Sequence, residues 1–239
     1  MLNFICIGAQ KSGTTWLHAT LSRHPSIAFP GGKEVHYWDA HLAKGISWYK
    51  ELFLDDSHCN GDITPAYAIL PVDVIRQMHA NFPSIPFIYL VRNPIERAWS
   101  AARMAVLRAE MSYPEASDQW FIDHFRSASS LSRGDYAKCL ENWFSVYPRE
   151  RFLIARYEDV FREPIIFANK ALRHIGLGAF FTEADQDVLA EPVFEGPGYA
   201  LRPALLEVLL DLYADRIDAL SNLLGEDFSA WKEIQPCPR

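Results

Sequence analysis

Residues 8–16 read Gly-Ala-Gln-Lys-Ser-Gly-Thr-Thr-Trp and follow the apolar run Phe4-Ile5-Cys6-Ile7. An apolar strand, a tight loop with glycines at both ends and a helix-forming segment make a phosphate cradle, because loop N–H groups and the positive helix end converge on one anion. The spacing of Gly8 and Gly13 matches a nucleotide-triphosphate loop, but that loop carries Lys and then Ser or Thr after its second glycine. Here Thr14 and Thr15 stand in those places, and the lysine comes earlier, at Lys11. The expectation is a loop that binds a phosphate, but not as a Mg-ATP motor does.

A second anion site follows the apolar run Phe87–Val91, which leads into Arg92-Asn93-Pro94. An ATPase of this architecture ends such a strand in an aspartate that holds magnesium; a guanidinium stands there instead. Ser100 lies two turns along the next helical segment, so Arg92 (bidentate) and Ser100 (by hydroxyl) can meet one phosphate. The competing reading pairs Arg92 with Glu96 and leaves Ser100 as a helix-surface serine. Taken with the first loop, the pattern suggests a nucleotide phosphorylated at opposite ends of its ribose and bound without metal.

Positioning these residues takes an alternation of strands and helices. The sequence predicts strands over 3–8, 26–29, 87–91 and 151–156. It predicts helices over 14–23, 47–53, 71–81, 94–110, 136–147, 164–175 and 205–224. Residues 111–133 read as an irregular flap, and 191–202, with two prolines and two glycines, as an irregular loop. Such alternation implies an α/β fold, a P-loop-like three-layer sandwich whose central parallel sheet is flanked by helices, with ligands beyond the carboxyl ends of the strands. The 239 residues fit one domain, 1–239.

Composition bounds the partners. Apolar residues make up 49% and aromatics 13%, as in globular chains, and no apolar run approaches the length of a bilayer span. The net charge of −7, from 23 basic and 30 acidic side chains with no polybasic segment, argues against nucleic acid and other long polyanions. Four scattered cysteines (Cys6, Cys59, Cys139, Cys237) have no metal or disulfide spacing and read as reduced thiols. With the first strand beginning at once and no leader visible, the expectation is a cytoplasmic protein with no membrane partner and no metal.

The ordered motifs resemble sulfotransferases that use 3′-phosphoadenosine 5′-phosphosulfate (PAPS). Lys11–Trp16 is similar to their 5′-phosphosulfate loop, and Val91–Ser100 to their 3′-phosphate motif. Lys33–Asp39, Gly45–Tyr49 and Gly61–Tyr67 look like the heparan sulfate branch (N-deacetylase/sulfotransferase and 3-O-sulfotransferase-like), and Arg156–Asp159 is a further recurrent segment. The resemblance implies a single sulfotransferase domain with PAPS as donor and the bisphosphate PAP as product. It implies sulfuryl transfer by in-line displacement to a hydroxyl, ahead of an amine, of a small-molecule or sugar acceptor, with a homodimer a possible assembly.

It also implies roles. Lys11 would donate to the bridging oxygen of the leaving phosphate, while the amides of Ser12, Gly13, Thr14, Thr15 and Trp16 cradle that phosphate and Arg92 with Ser100 holds the 3′-phosphate. Glu34 would be the base, since the matching glutamate serves so in the heparan branch; His36 is the rival, because phenol- and steroid-type sulfotransferases use a histidine. Two departures stand out. Ile63 replaces a lysine usual in that branch, and the late basic donor-closing loop reads Glu195-Gly196-Pro197-Gly198-Tyr199, leaving Arg202 as the candidate replacement. Both departures favour a neutral or small acceptor, with Tyr37, Trp38, Trp48, Tyr49 and Trp99 as candidate walls. The alternatives are a P-loop nucleotide kinase or phosphotransferase, which magnesium dependence would reveal, and a non-catalytic nucleotide-binding protein.

Overall fold

The computed structural model describes residues 1–191 and 199–233. In chain order the strands are β1 (Leu2–Gly8), β2 (Ile27–Ala28), β3 (Cys59–Ile63), β4 (Phe87–Val91) and β5 (Phe152–Arg156). The first helices are α1 (Thr14–Leu21), α2 (Tyr37–Ala40), α3 (Gly45–Glu51) and α4 (Val72–Asn81). Then come α5 (Pro94–Arg108), α6 (Asp118–Arg126), α7 (Ala128–Gly134) and α8 (Tyr136–Phe144). The last are α9 (Tyr157–Arg162), α10 (Pro164–His174), α11 (Gln186–Ala190) and α12 (Pro203–Leu224). The chain forms two compact units, Met1–Val91 with Asn142–Phe194, and Arg92–Glu141 with Glu195–Arg239.

The first unit is built on a five-stranded parallel sheet of order β2-β3-β1-β4-β5. Side chains alternate faces along a strand, and both faces are covered, which is why β4 is apolar throughout. Phe4 and Cys6 of β1, Ile88 and Leu90 of β4 and Leu153 of β5 share one cluster with Trp16, Leu17 and Leu21 of α1 and Phe167 and Leu172 of α10. On the other face Phe87 stacks on Phe152 at 4.8 Å and meets Trp143 and Tyr147 at 5.0 and 4.7 Å. Tyr147 in turn meets His79 of α4 at 4.8 Å. Helices on both faces of the sheet are the three-layer α/β arrangement expected.

Strand β3 is the strand the sequence reading lacks, as it lacks the short helices α2, α9 and α11. Cys-Asn-Gly-Asp-Ile is a poor strand by propensity, yet it pairs with β1 and β2. Its buried polar residues are satisfied individually: the Asn60 N–H donates to Asn3 Oδ1 at 2.8 Å, and its side-chain amide to Met1 O at 3.2 Å. Gly61 is required by space, since a Cβ there would lie 2.7 Å from Phe29 Cε1 and closer still to Phe4. The strand expected over 26–29 shrinks to Ile27–Ala28 beside it.

The second unit packs α12 with α5 and α6. Leu205, Leu209, Tyr213, Ile217, Leu220 and Leu224 of α12 are buried at helical spacing. The segment 111–133 is not a flap: it holds α6 and α7. Two of its serines are helix starts, Ser117 Oγ accepting from Trp120 N and Ser127 Oγ from Ser130 N, both at 3.2 Å. Arg97 of α5 is fully buried; its Nη2 donates to Ser130 O at 3.0 Å and to Tyr213 Oη at 3.4 Å. Of the irregular loop expected over 191–202, residues 192–198 lie outside the described residues, as does Cys237.

Candidate active site

In the first unit, the chain leaves β1 through Gly8, whose φ of +150° and close neighbours (Ala68 Cβ and Pro65 O would each lie 3.1 Å from a Cβ) leave no room for a side chain. The Ala9 N–H donates to Leu90 O at 2.6 Å, tying the loop to β4, and Ser12 N closes a turn on Ala9 O at 3.2 Å. Lys11 takes the left-handed region at φ 69°. Gly13, at φ +90°, caps α1 without any side-chain bond, and the ring of Tyr157 lies over it, 3.2 Å from where a Cβ would sit. This contact ties the Arg156–Asp159 segment to the loop.

Ser12 is fully buried, and its Oγ has no hydrogen-bond partner among the described residues. An orphaned buried hydroxyl beside uncapped helix amides fits an anion with acceptor oxygens. Thr14 is buried and Thr15 exposed. Trp16 offers the loop only its backbone: its indole N–H donates to Leu189 O at 2.7 Å, and its ring packs on Phe161 and Phe167.

Glu34 and His36 lie on a turn in which both adopt positive φ, 65° and 56°. Each such residue costs about 1–2 kcal/mol unless its surroundings hold it. The turn is pinned to the end of β3 by Glu34 N to Ile63 O at 3.1 Å, His36 N to Thr64 Oγ1 at 3.5 Å and Tyr37 N to Tyr67 Oη at 3.0 Å. Lys33 Nζ ion-pairs with Glu34 Oε1. Glu34 Oε2 lies 3.4 Å from His36 Nε2, and His36 Nδ1 lies 2.9 Å from Asp39 Oδ2.

The result is a carboxylate–imidazole–carboxylate chain, partly open to solvent, in which Asp39 fixes the imidazole and the imidazole faces Glu34. Asp39 was visible only as part of a motif; its signal is the three-residue spacing from His36 into the first turn of α2. Ile63, where a lysine was expected, is fully buried in the core cluster beside α1. Of the candidate aromatic walls, Tyr37, Trp38, Tyr49 and Trp99 are buried and Trp48 is half-buried beneath Lys44, whose Nζ is 4.0 Å from its ring.

In the second unit, Arg92 donates to Glu96 Oε2 from Nε at 3.0 Å and Nη2 at 2.8 Å, so the pairing kept open as an alternative is present. Asn93 caps α5, its Oδ1 accepting from Ile95 N at 3.0 Å, while its Nδ2 donates to Trp231 O at 2.9 Å. Ser100 is half-buried on α5, one turn before Arg103. Burial, and then the nearby Arg92 guanidinium, push Arg103 below its ordinary pKa, which puts the two cations in one another's field.

Arg202 is engaged locally: Nη1 pairs with Asp118, Nη2 donates to Tyr113 O and Ala116 O at 3.2 Å each, and the guanidinium stands 4.6 Å from the Tyr113 ring. Those bonds staple it to the segment before α6. Among the described residues no group of three or more His, Cys, Asp or Glu is placed to hold a metal ion, and no helix is long and apolar enough to cross a membrane.

A parallel sheet of this order, with a glycine-bounded loop between its central first strand and a helix, defines a P-loop-like α/β protein. The sulfotransferase domain family matches residues 3–191, and the chain belongs to that family. It is 27% identical over 184 residues to human heparan sulfate glucosamine 3-O-sulfotransferase 6, an alignment covering 75% of this chain and 53% of the relative. With the membrane-associated sulfotransferase kil1 of Dictyostelium discoideum it shares 35% identity over 109 residues, 44% of this chain and 23% of that one. The chain thus spans about half the length of these curated relatives or less.

Among solved structures, a sulfotransferase from Alicyclobacillus acidocaldarius superposes with a TM-score of 0.76 at 23% identity, covering 97% of this chain and 99% of that one. Mouse sulfotransferase SULT7A1, solved with PAP, superposes at 0.55 with 18% identity, covering 79% of this chain and 63% of that one. These likenesses agree on the fold.

Proposed function

We propose that this chain transfers a sulfuryl group from PAPS to a hydroxyl of a small-molecule or carbohydrate acceptor, without a metal. The observation that carries the reading is the loop after β1, where a family-type Lys-Ser-Gly-Thr-Thr sequence leaves Ser12 Oγ buried and unpartnered beside uncapped α1 amides. That loop suits the 5′-phosphosulfate, and the motif from Arg92 to Ser100 the 3′-phosphate. In the reaction the bond from sulfur to the bridging phosphate oxygen breaks as the acceptor oxygen bonds to sulfur. Lys11 stabilises the charge growing on the leaving oxygen, Glu34 accepts the acceptor's proton, and His36, held by Asp39, orients Glu34.

Positioning and electrostatics carry such transfers. An arginine at the end of β4 in place of a metal-holding acid supports metal independence. The thiols of Cys6 and Cys59, in no disulfide among the described residues, support a reducing, cytoplasmic setting, with burial pushing the Cys6 pKa up to about 12.

Two measurements test this. Calorimetry should show PAP binding and much weaker binding of adenosine 5′-phosphate, which lacks the 3′ group. A transfer assay with labelled donor, read as mass gain on neutral sugars and small hydroxyl compounds, should be unaffected by chelator. It should fall about 10²–10³-fold in Lys11→Ala, the usual cost of removing one donor aimed at developing charge. No affinity for PAP, or full turnover in Lys11→Ala at saturating donor, overturns the assignment.

A further inference from the structure

Beneath the turn that carries Glu34 lies a carboxylate with no part in the chemistry above. Asp62 of β3 is fully buried, and its three hydrogen-bond donors are all hydroxyls: Thr64 Oγ1 to Oδ1 at 2.6 Å, Tyr49 Oη to Oδ2 at 2.7 Å and Tyr67 Oη to Oδ2 at 3.0 Å. A buried carboxylate with no ion pair among the described residues is costly to keep.

Two of those hydroxyls face the turn. A hydroxyl has one hydrogen to give. Because Thr64 and Tyr67 give theirs to Asp62, their oxygens present only lone pairs to the N–H groups of His36 and Tyr37, at 3.5 and 3.0 Å. Without the carboxylate, either hydroxyl could turn its hydrogen toward those N–H groups and release them.

We infer that Asp62 is a positioning residue: by fixing the hydrogens of Thr64 and Tyr67 it holds the left-handed turn at Glu34 and His36, and so the aim of the base. This rests on the reading of Glu34 as base, but the polarity of the network can be tested apart from it. Asp62→Asn keeps the shape and places an amide N–H₂ where one oxygen accepted. Tyr49→Phe removes a bond to the same carboxylate while keeping the ring that stacks on Tyr37 at 4.6 Å.

Amide hydrogen exchange should show His36 (if the new N–H₂ faces Thr64) or Tyr37 (if it faces Tyr67) exchanging about tenfold faster in Asp62→Asn, the loss expected for a bond organised by a charged group, with β4 amides as the global reference. In Tyr49→Phe the same two amides should stay within about twofold of wild type relative to β4. With an acceptor in hand, kcat of Asp62→Asn should fall about tenfold at unchanged donor KM. Should Asp62→Asn fail to fold, proton NMR of the wild type decides instead: the Thr64 and Tyr67 hydroxyl hydrogens should exchange slowly and be bonded to the Asp62 carboxylate, and freely exchanging hydroxyls refute the inference. Exchange at both amides that merely follows β4, or equals wild type, refutes the inference. Failure of the sulfuryl-transfer reading leaves a different trace: no PAP binding in the wild type.

Discussion

Glu34, His36 and Asp39 form a graded set in which each side chain limits the next. Asp39 holds His36 Nδ1 at 2.9 Å, which leaves Nε2 toward Glu34 at 3.4 Å, while Lys33 takes the other oxygen of Glu34. A carboxylate so placed can take a proton and pass charge to the imidazole, whereas the imidazole lacks a free nitrogen for the acceptor. Glu34→Gln should therefore lose about 10²–10⁴ in kcat, the worth of a positioned base, with PAP affinity retained. The acid limb of its pH–rate profile should vanish while that of His36→Asn survives; the opposite pattern would make His36 the base. Lys11 and Glu34 were legible as residues, since their local motifs are unusual. Asp62 was not, because a lone aspartate in a polar five-residue stretch gives no sign that three hydroxyls will fold onto it.

At the scale of elements, strands β1, β4 and β5 and helices α1, α4, α5, α10 and α12 could be read from apolar runs and proline starts, within a residue or two at most ends. Strand β3 could not, because its stability comes from neighbours on either side and from Gly61 admitting the Phe4 and Phe29 rings. The segment 111–133 reads as a flap because its Met, Tyr, Pro and serines suggest irregularity; Ser117 and Ser127 are caps, which a single position in the chain cannot distinguish from loop. The start of β5 is pinned to β4 by His174 of α10, whose Nε2–H donates to Phe87 O at 2.9 Å and Arg151 O at 3.1 Å. Burial holds this imidazole below its ordinary pKa, outweighing those two bonds. The native state therefore binds its proton less tightly than the unfolded chain. Its contribution is whole above the ordinary histidine pKa and is lost as pH falls through the native value. Urea midpoints of wild type should drop with acidification over that range, more steeply than those of His174→Asn; parallel slopes would remove His174 from the account.

For the molecule as a whole, charge and one buried residue point the same way. The chain carries a net −7, and the place where a lysine was expected is Ile63, sealed in the core beside α1. A densely sulfated polymer would meet repulsion that few local cations could offset. Heparin resin should accordingly release the protein by about 0.15 M salt, where screening extends only about 8 Å; retention to high salt would restore a polyanionic acceptor. Asn93 carries a different lesson. One of its amide atoms caps α5 directly after Arg92, and the other grips the carbonyl of Trp231, 138 positions onward, whose indole rests on Phe228 at 4.6 Å. The segment at Trp231 thereby acts as a latch on the entrance to α5. A protein shortened ahead of Trp231 could keep every strand of its sheet and still lose the setting of that arginine, so an inactive truncation would say nothing against the chemistry.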